Sequence, residues 1–235
     1  LFPSSHEIKA GELGLPTPGM ECKLVPIDGK TELRYRGPNI TPGYWRAPEA
    51  TAEAFDEEGF FCTGDAVLWV DVADKHKGLR FDGRIAEDFK LATGTFVSVG
   101  PLRGRVIAGG APYIQDVVVT GLNRHEVGAL VFPTQAVRSL VDLPPDAPFE
   151  TVLKQHAVLQ KFQSLVTDLS LTATGSANRV TRLMLMAEPP SIDLGEVTDK
   201  GSINQRAVLK HRDDLVQALY DEPPGHIVIK PGVNL

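Results

Sequence analysis

The feature that most constrains this chain is a change of pattern at Phe81-Asp82-Gly83-Arg84-Ile85-Ala86-Glu87-Asp88-Phe89-Lys90. Before that stretch, short apolar runs are punctuated by glycine and proline. After it, helical spacings alternate with runs that read as buried strands. A chain patterned this way is expected to be α+β and to fold in two parts. Residues 1–84 form a small β-rich piece, and residues 85–235 form an α+β domain with a three-stranded sheet and helices. Gly83, between Asp82 and Arg84, moves through φ/ψ space more freely than any residue with a Cβ. An ionic junction of this kind suits a plain linker or a hinge, and local chemistry favours the linker.

At 235 residues the chain is long enough for one large domain or two modest ones. A net charge of −6 with no basic block argues against a nucleic-acid surface. Cys22 and Cys62 show neither metal-ligand spacing nor a disulfide framework, which fits a reducing cytoplasm and leaves room for a single disulfide. No apolar run has the length of a membrane span, and no signal peptide is visible. The chain opens on Leu1 and enters a loop-like Leu-Phe-Pro-Ser-Ser, so it is expected to be a piece of something longer.

In the first region, Glu21 to Val25 and Thr31 to Arg36 alternate as a hairpin about Asp28-Gly29. Pro48 to Phe55 is expected to be a short helix, rich in alanine and with Glu49 at its positive end. Phe60-Phe61-Cys62 is a third run. Val67 to Val70 and Leu79 to Phe81 make a further hairpin, and the set suggests a small barrel or sandwich piece. Thr63-Gly64-Asp65 follows Phe60-Phe61-Cys62 directly. A carboxylate leaving a strand over a glycine can accept both hydrogens of a vicinal diol such as a ribose. Equally, it can be a turn aspartate bonding its own backbone.

In the second region, Asp88 to Leu91 is expected to pair with the strand ending at Phe81. Ser98 is a candidate cap for a helix that Gly109-Gly110 stops. Ile114 to Thr120 and Val127 to Phe132 form a hairpin about Gly121-Leu122-Asn123. From Phe149 through Leu169 the apolar spacing predicts one amphipathic helix, and Val180 to Met186 a strand packed on both faces. The loop Thr174-Gly175-Ser176-Ala177-Asn178 is either an anion nest or an ordinary connection. Ser202 and Gln205 form a capping-box pair, so a helix is expected to start at Ser202 and bury Ile203, Ala207, Leu215 and Leu219. Lys200 then lies just before a helix N-terminus, where an ammonium adds to unpaired N–H groups to make an anion site. The plain alternative is a solvated surface lysine.

Several segments stand in a telling order: Gly11-Glu12-Leu13-Gly14-Leu15-Pro16, Gly37-Pro38-Asn39-Ile40-Thr41-Pro42-Gly43-Tyr44-Trp45, Pro48-Glu49-Ala50-Thr51, and Phe60-Phe61-Cys62-Thr63-Gly64-Asp65. Gly83-Arg84, Phe89-Lys90-Leu91-Ala92-Thr93-Gly94 and Thr198-Asp199-Lys200-Gly201 with Asn204-Gln205-Arg206 complete it. This order resembles the C-terminal part of adenylate-forming acid–CoA ligases, most closely the feruloyl-CoA synthetase type. The resemblance implies that the first region is the end of a large adenylation domain and the second a mobile C-terminal domain. It implies roles too. Asp65 holds the ribose hydroxyls of ATP and of the acyl-adenylate, and Arg84 approaches the same sugar. Lys200 reaches the α-phosphate and the substrate carboxylate, Ala86 is the hinge position, and Gly94 faces the CoA tunnel.

ATP, carrying Mg, and CoA are then substrates, with no tightly bound cofactor and no metal site. The partner is the N-terminal part of the same enzyme; no nucleic acid and no membrane is expected, and the location is cytoplasmic. There are departures. Ala86 stands where the family commonly has Asp or Lys, and Val97-Ser98-Val99-Gly100-Pro101-Leu102-Arg103 replaces the glutamates that often follow the Gly94 segment. Nothing matches the family's phosphate loop or its adenine-side motif. Other readings are a fatty-acid or carrier-loading ligase, a non-catalytic interaction module on the same fold, and a standalone CoA- or AMP-binding protein.

Overall fold

The structure is a computed structural model that describes residues 9, 11–27, 29–222 and 226–232. It is mixed α+β and divides into two compact units between Asp88 and Phe89, four residues past the expected division after Arg84.

The first unit carries β1 (Glu12–Gly14), β2 (Glu21–Ile27), β3 (Lys30–Arg36), α1 (Pro48–Ala54), β4 (Phe61–Trp69) and β5 (Leu79–Arg84). The strands make one antiparallel sheet of five in the order β1-β5-β4-β3-β2, rather than the expected barrel or sandwich. The reason lies in β4. Gly64 adopts φ +68 inside the strand and bulges it instead of turning it, so the two apolar runs flanking Thr63-Gly64-Asp65 form one strand. The β2–β3 hairpin closes with Ile27 opposite Lys30; Asp28 lies outside the described residues. Leu33, Val67 and Leu79 are the buried core of this sheet. Cys22 and Cys62 are both free thiols.

The second unit has β6 (Phe89–Lys90), β7 (Phe96–Val97), α2 (Val99–Gly110), β8 (Ile114–Thr120), β9 (Val127–Pro133), α3 (Phe149–Leu153), α4 (His156–Leu171), β10 (Val180–Leu185), α5 (Gln205–His211) and α6 (Asp213–Tyr220). Its main sheet has the order β10-β9-β8, with β8 antiparallel and β10 parallel to β9. Every residue of β9 is buried, as a strand covered on both faces must be. The strand period of two sorts the side chains cleanly. Val117, Val119, Ala129, Val131 and Leu183 enter the core that also holds Leu102, Phe162 and Val166. Val118, Leu130, Phe132 and Met184 enter the core that holds Val208 and Leu219. On α4 the buried residues Val158, Phe162, Leu165, Val166 and Leu169 recur at helical spacing and form one stripe.

Five local expectations are corrected. Phe89–Lys90 pairs with Phe96–Val97 and not with the strand ending at Phe81, because the Leu91 N–H bonds Thr95 and folds the chain back. The helix expected from Phe149 onward breaks at Gln155, whose extended ψ of 140 separates α3 from α4. The last helix starts at Gln205 and is capped by Asn204, whose side chain accepts from the Ala207 N–H. It is also interrupted at Arg212, which separates α5 from α6. Ser98 precedes α2 but makes no side-chain cap bond. Among the described residues no helix is long and apolar enough to cross a membrane.

Candidate functional site

The chemistry-bearing residues of the first unit gather at the bulge of β4. Asp65 lies opposite Arg84 across β4 and β5, and Arg84 Nε stands 2.8 Å from Asp65 Oδ1. Both side chains reach solvent. The backbone beneath them is tightly held. Thr63 Oγ1 donates to the Leu33 carbonyl at 2.5 Å and accepts the Asp65 N–H at 3.0 Å. Glu32, buried on β3, accepts the Gly64 N–H at 2.9 Å and Arg34 Nε at 2.7 Å. Arg34 in turn donates to Asp56 at 3.0 Å. The Phe60 N–H, with Arg34 and Lys23 behind it, holds the Asp56 carboxyl down at about 2. Thr63-Gly64-Asp65 is therefore an internal bulge locked from both neighbouring sides, not a turn leaving a strand. The carboxylate is half-buried, with Oδ1 turned inward against Arg84, and on so rigid a backbone it needs little further ordering to accept hydrogens from a hydroxyl-bearing ligand.

Ala86 is exposed in a single turn of 3₁₀ helix, Ile85–Glu87, which follows Arg84. That turn is bracketed by a lysine. Lys30, nearly buried on β3, donates to the Asp82 carbonyl and sits 3.3 Å from the Asp82 carboxylate and 2.6 Å from that of Asp88. The Asp88 side chain is 0% exposed. This is the physical reason that the compact unit extends through Asp88.

In the second unit Gly94 has φ +80 at the tip of the turn between β6 and β7, where its N–H bonds the Leu91 carbonyl at 2.8 Å. A Cβ there would meet nothing, so the glycine is needed for its backbone angle and not for space. Lys200 is exposed at the tip of a small hairpin. Val197 bridges Ile203, the Thr198 N–H bonds the Ser202 carbonyl, and Gly201, at φ +78, bonds back to Thr198. Ser202 Oγ is engaged with Thr198 Oγ1 at 2.8 Å, which explains why it does not cap the helix. Lys200 is thus not the residue just before a helix start at Ser202: Gly201, Ser202, Ile203 and Asn204 lie between it and the first residue of α5. The Thr174 and Gly175 amides are bonded by Asn178 Oδ1, so that loop is an ordinary connection. Among the described residues no group of His, Cys, Asp and Glu side chains gathers to hold a metal.

The structure therefore brings Asp65 and Arg84 together, places Ala86 in the connector after them, and carries Gly94 and Lys200 on the second unit. Sequence reasoning missed the buried supports: Glu32, Lys30, and the Glu196–Arg212 pair at the root of the Lys200 hairpin. Each is a charged residue whose partner is distant in sequence, or which bonds a main-chain group, so no spacing rule marks it.

A family model described as AMP-binding enzyme C-terminal domain matches residues 88–223. Over 227 residues the chain is 28% identical to the chloroplastic long-chain-fatty-acid–acyl-carrier-protein ligase AEE15 of Arabidopsis thaliana, covering 90% of this chain and 28% of the relative. It is 44% identical over 136 residues to the probable CoA ligase CCL8 of Humulus lupulus, covering 55% and 21% respectively. The adenylation domain of a carboxylic acid reductase from Segniliparus rugosus, solved with AMP and a co-purified carboxylic acid, matches with a TM-score of 0.66 at 25% identity, over 89% of this chain and 33% of that one. The chain spans a third or less of the length of each of these.

Proposed function

Because the chain belongs to the AMP-binding enzyme C-terminal domain family, we propose that it is the C-terminal part of an ATP-dependent ligase that joins a carboxylic acid to CoA or to a carrier thiol. In the first half-reaction a carboxylate oxygen attacks the α-phosphorus of ATP, a P–O bond breaks, and pyrophosphate leaves. In the second, a thiolate attacks the acyl carbon of the adenylate, and the C–O bond to AMP breaks.

Each proposed site residue has a part in this. Asp65 accepts the ribose hydroxyls while Arg84, paired with it, borders the same sugar. Lys200 brings its ammonium to the α-phosphate and the carboxylate, where it offsets the charge that accumulates as one anion attacks another. The connector at Ala86 lets the small domain turn between the two half-reactions, and the Gly94 turn then meets the thiol arm of CoA. The expected division of labour follows: the large domain ends near Arg84, and residues beyond it travel with Lys200. Mg arrives with ATP as part of the substrate, and the reaction runs in the cytoplasm beside the N-terminal part of the same enzyme.

The observation that carries this reading is the Asp65–Arg84 pair on a locked bulge, in a chain of this family. For the acid we propose a feruloyl-type hydroxycinnamate, on the motif order running from about Gly11 to Arg212. A long-chain fatty acid loaded onto a carrier is the second reading, favoured by the similarity to AEE15. ATP–pyrophosphate exchange by the full-length enzyme across hydroxycinnamates and long-chain fatty acids separates them. Exchange is expected with the former and is expected to collapse in Lys200→Ala. The chain of residues 1–235 alone is expected to show none; exchange by it alone, or full exchange in the Lys200→Ala enzyme, refutes the assignment.

A further inference from the structure

The hairpin that presents Lys200 is short, with the exposed lysine at its tip. Above its root it has the Val197–Ile203 bridge and the bonds joining Thr198 to Ser202 and Gly201. Its root is different. Glu196 is 1% exposed, and its carboxylate accepts Arg212 Nε at 3.1 Å, Arg212 Nη2 at 2.7 Å and the Ser191 N–H at 2.8 Å. Its main chain is held as well, with its N–H bonding the Ser191 carbonyl and its carbonyl accepting the Asn204 N–H, each at 2.9 Å. Arg212 sits at the break between α5 and α6. Its remaining donors reach the carbonyls of Glu188 at 3.1 Å and Pro189 at 2.8 Å, and its guanidinium lies 5.1 Å from the Phe132 ring centre. One guanidinium therefore ties together the exit of β10, the entry to the hairpin and the corner between two helices.

We propose that Glu196 and Arg212 are positioning residues for Lys200: the buried pair fixes the base of the hairpin so that the ammonium arrives at one place. This rests on the reading of Lys200 as the adenylation lysine. A lysine has a long flexible stem, and its charge counts in a transition state only when its backbone root is fixed to a fraction of an ångström. The planar fork of arginine suits the task, since it meets both carboxylate oxygens and two carbonyls at once. Lysine at 212 keeps the charge and loses the fork. Neither Glu196 nor Arg212 needs to touch substrate.

The test uses the full-length enzyme with Lys200→Ala, Arg212→Lys and Glu196→Gln, each confirmed as folded by its thermal midpoint. Two rates are measured: pyrophosphate exchange, and thioester formation from supplied acyl-adenylate. Arg212→Lys is expected to lose about 10- to 100-fold in exchange, the scale of a misplaced catalytic group, while its thioester rate stays near that of the parent. Hydrogen exchange at the Thr198 and Gly201 amides is expected to accelerate in the same variant. Should Arg212→Lys fail to fold, Glu196→Gln carries the same expectation. If Lys200→Ala loses exchange while the pair variants keep it, the pair does not position the lysine and the proposal falls alone. Equal losses in both half-reactions reduce the pair to a structural support and also overturn it. If Lys200→Ala itself exchanges normally, the role of Lys200 falls and takes this proposal with it.

Discussion

At the scale of single residues, two buried glutamates lie beneath the two side chains, Asp65 and Lys200, to which chemistry is assigned. Glu32 is 4% exposed and accepts the Gly64 N–H one residue from Asp65. Glu32→Ala strands that N–H and one face of Arg34, and an unpaired buried donor costs about 1–3 kcal/mol. A drop of that size in urea stability is expected, together with weaker AMP binding by the full-length enzyme, read by calorimetry. Unchanged affinity would show that the Asp65 carboxylate does not depend on the bulge beneath it. Glu196 makes a claim about pH. The paired Arg212 guanidinium holds its carboxyl below the ordinary value of 4.5, against the opposing effect of burial. A depressed folded value means that the stability it contributes is fully present above pH 4.5 and is lost as pH falls through the folded value. Glu196→Ala leaves Arg212 without its main partner, which for a buried pair costs about 3–5 kcal/mol near neutrality. The gap between parent and variant is expected to close as the solution is taken below pH 4.5, the value in the absence of the pair. A gap that stays constant with pH would detach the stability from this ionisation.

At the scale of elements, what was legible followed from local periodicity, and what was not followed from partners distant in the chain. The alternation of β8 and β9, their hairpin, and the two-faced packing of β10 are written in β-branched runs with period two. The same reasoning misplaced the start of α5, because Ser202 satisfies the pattern of a cap while its hydroxyl is occupied by Thr198. It joined α5 to α6 because the apolar spacing runs through Arg212, whose bonds to Glu196, Glu188 and Pro189 break the helix there. Motif nominates Lys200, Asp65 and Gly94; the hairpin and the bulge that present two of them are not legible in it. The connector after β5 shows the same limit. Lys30 grips Asp82 and Asp88, one at each end of the Ile85–Glu87 turn, from a strand some fifty residues earlier. Lys30→Met leaves the wholly buried Asp88 carboxylate without that partner. Tryptic cleavage after Arg84 is expected to be faster in that variant than in the parent. Identical cleavage rates would mean that the turn is held by its own geometry and not by the lysine.

At the scale of the whole molecule, the two units are unequally built. Among the described residues the first unit buries five apolar side chains, Leu33, Phe60, Ala66, Val67 and Leu79, of which three form its cluster, whereas the second encloses two full cores, one on each face of its three-stranded sheet. A fully buried Leu, Val or Phe side chain contributes about 1.5–3 kcal/mol. The first sheet therefore has little to set against the entropy of ordering its residues, and the second has much. The sequence supplies independent reporters for each. Both tryptophans, Trp45 and Trp69, belong to the first unit. Trp45 is 87% exposed, so the environment-sensitive signal comes from Trp69, which packs against the small core. Apart from α1, every α-helix among the described residues lies in the second unit, so the far-UV helical signal reports that unit. Urea unfolding of the 235-residue chain followed by both probes is expected to give two separate transitions, with tryptophan fluorescence changing at the lower concentration. The helical signal should then fall along a curve that a chain of residues 88–235 reproduces unaided. Coincident curves would mean that the sheet of the first unit draws its stability from the second.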